Sequence, residues 1–320
     1  MTGTSVEVWD RERVEALAER YRRWGRWGPD DELGALNFID AGAVAAAAAL
    51  VRRGHVVSLA MPLDARGPQT GAYGRGNPVH HMVQDGGDIA LGAQDHLPGL
   101  RYTDDAVSMP LQCATHCDAF SHIFYDGRMY NGYGLAEVTS SGATRCGVER
   151  MGASLTGRGV LLDVARWRGV AALSPGEAVH DHELEACARH QGVTVGRGDI
   201  LLVRTGHLGD ARSRGWGDYA GGDAPGLALS SARFVCEREV AAVASDTWGV
   251  EVRPNETEAV FQPLHLVLLV NAGVALGEMF ELDELAEDCA RDGVYEFFLT
   301  AAPLPFTGAV GAPANPIAVK

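Results

Sequence analysis

Leu111-Gln112-Cys113-Ala114-Thr115-His116-Cys117-Asp118-Ala119-Phe120-Ser121-His122 sets two imidazoles and a carboxylate within seven positions, His116 to His122. In an extended chain successive side chains alternate between faces, so Gln112, His116 and Asp118 share one face and Cys113 and Cys117 take the other. His122 has the parity of the first face and rejoins it if the chain stays extended or turns gently after Asp118. Neutral imidazole and carboxylate oxygen suit zinc or manganese, whereas a cysteine zinc site needs the opposite face. An isolated histidine is more often satisfied by backbone groups than bound to a metal, so spacing alone leaves both readings open.

Outward from this stretch the chain reads as α/β. Asp10 to Trp24 carries Val14, Leu17, Ala18 and Tyr21 at helical spacing among dense charge, which predicts an amphipathic surface helix. Asp40 is placed to cap an alanine-rich helix through Arg53, with Gly54 just beyond and a strand over His55–Met61. Asp64 to Gly99 is rich in Gly, Pro, Gln and Asp and lacks periodicity, the pattern of a long surface excursion. Strands are expected at Gly159–Val164, Asp199–Arg204, Ala241–Ser245 and Tyr295–Ala301. Helices are expected from an Asp181 cap to Gly192 and over Ser230–Val240. No linker or repeat interrupts this alternation, so 1–320 is expected to be a single domain with an N-terminal helical arm, about 1–53.

Three hundred and twenty residues, 46% apolar and 22% charged, exclude a disordered chain. Forty-two acids against 27 Lys and Arg leave a net charge of −15. That field repels phosphate backbones and anionic lipid, so nucleic acid and membrane are excluded as partners and a small-molecule substrate is favoured. The longest apolar run, Ala41 to Val51, is too short to span a bilayer, and the charged N-terminus does not read as a signal peptide; a cytoplasmic location is expected. The six cysteines show no Cys-x-x-Cys spacing and read as reduced core thiols. Complete G-x-G-x-x-G, Walker A, G-x-S-x-G and H-E-x-x-H motifs are all missing, which removes the best support for nucleotide and serine-hydrolase chemistry.

Thr115-His116-x-Asp118-x-x-x-His122 resembles the signature of the cyclase family of metal-dependent hydrolases, which includes kynurenine formamidase and isatin hydrolase and whose motif reads H-x-G-T-H-x-D-x-P-x-H. The resemblance continues through Gly54–Leu63, Gly159–Val164, Gly198-Asp199, Arg204-Thr205-Gly206, Pro263-Leu264-His265, Gly273, Glu278 and the tail Gly311–Val319. Trp27-Gly28 to Asn37, Tyr130-Asn131-Gly132 and Asp246, Trp248 and Glu251 resemble a longer-chain branch of that family. The resemblance implies an α/β fold of the swivelling β/β/α type and a homodimer or homotetramer, with the arm packing on a neighbour. It also implies a divalent metal held by His116 and Asp118, with His122 either a further ligand or the base that orients water. His265 and Glu278 match the family's distal catalytic pair, for which a capping histidine and a surface acid are the plain alternatives.

Three positions depart from the family motif: Gln112 stands for its first histidine, Ala114 for its glycine and Phe120 for its proline. An amide oxygen is a weak ligand, although Gln112 can still complete the site or hold a water. One ion per chain, zinc or manganese, is therefore expected rather than two. Around the motif Trp27, Phe124, Tyr125, Tyr130 and Trp248 are candidates to wall an apolar substrate pocket, although aromatics near a buried site are more often core. His81, with His80 in the long loop, is a candidate lid residue or a solvated one. Arg204 either steers a carboxylate or pairs with an acid such as Asp199.

Together these features lead to a metal-dependent hydrolase that opens or cleaves an amide, lactam, lactone or ester carbonyl. Two alternatives stay open: a metal-dependent non-hydrolytic cyclase or dehydratase, and a catalytically silent small-molecule-binding homologue.

Overall fold

The computed structural model describes residues 7–320. Nine strands form one mixed sheet. In chain order they are β1 (Val56–Ser58), β2 (His116–Asp118), β3 (Thr156–Asp163), β4 (Ile200–Arg204), β5 (Ala242–Ser245), β6 (Ala275–Glu278), β7 (Glu296–Thr300), β8 (Gly311–Pro313) and β9 (Ile317–Val319). Their order across the sheet is β1-β9-β7-β3-β4-β5-β6-β2-β8. The centre, β3-β4-β5-β6, is parallel, and every flanking pair is antiparallel. The central strands are nearly continuous apolar runs, Leu161-Leu162, Leu201-Leu202-Val203 and Ala242-Val243-Ala244, because parallel strands are covered on both faces.

Five helices matter for the frame: α1 (Arg11–Arg20), α2 (Ala41–Ala48), α3 (Asp181–Gln191), α4 (Ser231–Glu237) and α5 (Asp283–Asp292). The Asp10 and Asp40 side chains cap α1 and α2 by accepting from Arg13 N and Ala43 N. Helix α2 stops at Ala48, well short of Arg53, and α3 is capped at His180 rather than Asp181. Helix α1 lies on Leu266–Ala272 of its own chain, where Arg23 N donates to Asn271 O at 2.9 Å and Trp24 Nε1 to Val270 O at 2.8 Å. The first six residues of the expected arm lie outside the described residues.

The long excursion after β1 is not structureless. It contains an exposed two-stranded ribbon, Val79–Gln84 paired with Asp104–Ser108, in which His81 faces Ala106 and His80 Nε2 sits 2.7 Å from Asp105. All six cysteines are buried and unpaired with one another. Among the described residues no helix is long and apolar enough to cross a membrane.

The segment that leads into β6 is tightly specified. One α-helical turn, Pro263–His265, runs into a π-helical stretch, Leu266–Ala272, which Gly273 ends at φ +62°. A Cβ at Gly273 would lie 2.4 Å from the Tyr130 ring, so both the positive φ and the close approach demand glycine.

Candidate metal centre

β2 is only three residues long, and all three are buried. His116 and Asp118 point to one face while Cys117 points to the other, into the main core, where its thiol faces Ala301 O at 3.6 Å. Thr115 locks the register: its hydroxyl donates to Met279 O at 2.5 Å and accepts from Met61 N at 2.9 Å. In the antiparallel ladder of β2 with β6, Glu278 lies directly opposite His116. A histidine and an aspartate two apart therefore meet a glutamate 160 positions away in sequence, at the carboxyl end of a parallel strand, where open α/β sheets place ligands.

His116 Nε2 is 3.4 Å from Asp118 Oδ1 and 3.3 Å from Glu278 Oε2, and one donor atom from each of the three residues lies within 4.8 Å of the others. His116 Nδ1 donates to Ala114 O at 2.7 Å, which leaves Nε2 to face the carboxylates. Burial works against the His116 imidazolium, but the Asp118 and Glu278 carboxylates outweigh it and raise its pKa to about 10. Burial likewise opposes ionisation of Asp118 and Glu278. The histidines around them win, and both carboxyls are held below the usual range.

Two ionised carboxylates buried on one imidazole form an excess of negative charge that a proton or a cation must neutralise. His116 Nε2 and Asp118 Oδ1 are buried and make no hydrogen bond. Orphaned donor atoms in a convergent His-Asp-Glu set fit a divalent cation, and this chemistry accepts zinc or manganese alike.

The remaining expected residues divide by placement. After Asp118 the chain turns at once, with His122 N donating to Ala119 O at 2.9 Å, and this brings His122 Nε2 to 3.9 Å from Asp118 Oδ1. Burial depresses the His122 imidazolium more than its acidic neighbours restore it. Gln112 lies in a turn rather than on an extension of β2. Its amide sits against Gly311, the β8 residue opposite Asp118, and a Cβ there would lie 2.7 Å from Nε2. Phe120, in place of the family's proline, packs on Tyr130 with ring centroids 4.9 Å apart and is absorbed into the core.

His265 touches Glu278 rather than the His116-Asp118 pair. Its Nδ1 is 2.5 Å from Glu251 Oε1 and its Nε2 is 3.4 Å from Glu278 Oε1. Both ring nitrogens thus face carboxylates, which overcomes the opposing effect of burial and raises the imidazolium to about 10. Glu251 is set in turn by the helix that carries His265, accepting from the backbone N–H of Leu264 and His265 at 3.2 Å each, and from Asn255 at 3.1 Å. The chain Glu251–His265–Glu278 orients the glutamate of the cluster. Sequence reading missed the role of Glu251; its only signal was a place in the Asp246, Trp248, Glu251 pattern.

A cavity of about 180 Å³ opens beside the cluster, lined by Tyr73, Arg75, His122, Ile123, Trp248, Phe261, Gln262, His265 and Glu278. Trp248 is therefore at the cavity, whereas Trp27, Phe124, Tyr125 and His81 are not. Trp27 packs edge-on against Phe38 at 5.2 Å, and Phe124 is packed against the main core. The Tyr125 hydroxyl donates to Glu15 at 2.6 Å, and His81 stands on the exposed ribbon.

The Trp27–Asn37 and Tyr130–Gly132 motifs brace each other instead of walling a pocket. The Tyr130 hydroxyl donates to Asp31 at 2.7 Å, and the Asn131 amide to the carbonyls of Gly28, Pro29 and Asp31. Arg204 pairs with Asp163 at 2.9 Å and Asp283 at 2.8 Å, while Asp199 takes Arg158 at 2.7 Å. Tyr73, Arg75, Phe261 and Gln262 escaped sequence reading because they come from two loops with no periodicity.

Known proteins resemble both the sequence and this architecture. A family model described as "Putative cyclase" matches residues 44–252. A crystal structure described as a novel cyclase is 37% identical, covers 95% of this chain and 99% of its own, and superposes with a TM-score of 0.85. Isatin hydrolase A from Ralstonia solanacearum, at 19% identity over 87% of this chain and 97% of its own, shares the fold with a TM-score of 0.62. Isatin hydrolase A from Labrenzia aggregata bound to benzyl benzoate, at 19% identity over 89% and 98%, does so with a TM-score of 0.58. No protein of curated function matches the chain. The family model covers well over half of the chain and the first of these structures nearly all of it, so the chain belongs to the cyclase family.

Proposed function

We propose that this chain is a metal-dependent hydrolase acting on an amide, lactam, lactone or ester carbonyl of a small molecule. The observation that carries the reading is the pair of buried, hydrogen-bond-free atoms, His116 Nε2 and Asp118 Oδ1, converging with Glu278 beside a cavity. His116, Asp118 and Glu278 would hold one divalent ion, which supplies a Lewis acid able to acidify water and polarise a carbonyl.

The protein's own groups divide the remaining work. The Ala114 carbonyl fixes the tautomer of His116, and the Glu251–His265 pair holds Glu278 in place. His122 faces both the cavity and Asp118, and burial lowers its pKa, which favours the neutral imidazole. It is the group suited to accept a proton from the attacking water and return it to the leaving atom. Trp248 and the loop residues Tyr73 and Phe261 line the cavity in which the carbonyl would lie.

The test joins metal content to chemistry. Parent protein is expected to carry about one zinc or manganese per chain, and metal-loaded parent to hydrolyse members of a lactone, lactam and formamide panel with ¹⁸O incorporated from labelled water. Asp118→Ala is expected to lose both metal and turnover with an unchanged circular dichroism spectrum. Full metal content in Asp118→Ala would sink the assignment. Turnover without ¹⁸O incorporation would move the reaction to a non-hydrolytic one.

A further inference from the structure

Arginine supplies nearly all the positive charge of this chain, and most arginines are held in ion pairs. Arg75 is different. Among the described residues it is the one arginine that is partly buried yet makes neither an ion pair nor a side-chain hydrogen bond, and it lines the cavity beside the metal cluster.

Its position is built rather than incidental. The chain makes a tight turn at Gly71–Arg75, closed by Gly71 N donating to Arg75 O at 3.1 Å, with Gly71, Tyr73 and Gly74 all at positive φ. The residues just before the turn tie it down: the Gln69 amide donates to Cys113 O at 2.8 Å, and the Thr70 hydroxyl to Ala220 O at 3.3 Å. Cys113 belongs to the same turn that delivers His116, so the loop that carries Arg75 is indexed to the metal ligands.

Arg75 places an unpaired positive charge on the wall of this cavity, inside a protein of net charge −15. A guanidinium with its fork unused is matched to a carboxylate. The cavity walls beside it are aromatic: Tyr73 and Trp248 lie 5.8 Å apart between centroids, and Tyr73 and Phe261 lie 6.4 Å apart. At about 180 Å³ the space admits one small flat molecule.

We propose that Arg75 is the substrate-carboxylate receptor of this site, so that the substrate class is a small planar carbonyl compound bearing a carboxylate, its ring bounded by Tyr73, Trp248 and Phe261. This rests on the hydrolase reading above and narrows its substrate.

The experiment measures calorimetric binding of benzoate and of its neutral counterpart benzamide to metal-loaded parent, Arg75→Met and Arg75→Lys, with metal content read on the same samples. Parent is expected to prefer benzoate. Arg75→Met is expected to lose about 10- to 100-fold in benzoate affinity, the size of a charge-assisted hydrogen-bond pair, with benzamide unchanged. Arg75→Lys should keep part of the preference, since it retains the charge without the fork.

Metal-loaded parent that does not distinguish the two probes overturns the proposal, and so does Arg75→Met that binds benzoate as parent does. The latter result would mean the carboxylate sits on the ion alone. A parent that takes up no metal is a separate failure, that of the hydrolase reading, and the metal assay identifies it directly.

Discussion

Enclosing Asp118, Glu278 and two histidines, each at most 5% exposed, costs several kcal/mol per charge unless each is met by an opposite charge and hydrogen bonds. An apolar set would be cheaper, and this expense makes the cluster a candidate functional site. The sequence showed His116 and Asp118 because they are two residues apart on one strand, where parity is a local rule. It pointed to His265 and Glu278 only through resemblance. Glu251 was invisible as a partner because nothing local relates it to His265.

Its contribution is open to direct test. Glu251→Gln is expected to keep metal bound but lower kcat by about 10- to 100-fold with little change in KM, because an amide no longer stabilises the imidazolium that orients Glu278. The checks are steady-state kinetics and metal analysis on one preparation. A large rise in KM with kcat intact would place Glu251 in substrate binding instead.

At the scale of elements, the edge strands are secured by charge as well as by ladders. Asp288 on α5 is almost fully buried and receives Arg53, Arg291 at 2.8 Å and Lys320 at 3.2 Å. The last residue of the described chain thus ties β9 and the start of β1 to a helix; Arg53 N and His55 N both donate to Lys320 O at 3.1 Å.

Burial opposes ionisation of Asp288, but its three cations prevail and hold the carboxyl well below the usual range. A carboxyl depressed on folding contributes stability above its unfolded pKa, about 3.9, and loses it as pH falls toward the folded value. Asp288→Asn is therefore expected to cost about 2 to 3 kcal/mol in urea unfolding at pH 7, with the gap to parent narrowing only below about pH 4. A gap that is absent at pH 7, or that closes between pH 7 and 5, would contradict this account. Arg53 and Lys320 fell where sequence analysis expected a helix end and a tail, and their shared partner emerges only from the fold.

Across the whole molecule, an ion bound only to the native state must raise its stability. At a free metal concentration about 100 times Kd the gain is about 2.7 kcal/mol, or about 4 °C in Tm for a chain of this length. Parent treated with a chelator should melt lower by that amount and recover with zinc or manganese, while Asp118→Ala should respond to neither. An equal response in parent and Asp118→Ala would locate the binding elsewhere.

The sequence by itself determined the features that depend on near neighbours. The Asp10 and Asp40 caps, the apolar parallel strands, the α/β alternation and the pairing of His116 with Asp118 on one face all follow from spacing and side-chain type over a few residues. Tertiary structure alone decided which distant residues share the site. The β2–β6 register sets Glu278 opposite His116, the helix before β6 joins His265 to Glu251, and a glycine-rich turn brings Arg75 to the cavity in place of Trp27, Phe124, Tyr125 and His81. Strand register and loop placement depend on the packing of the whole sheet, and no local periodicity encodes them.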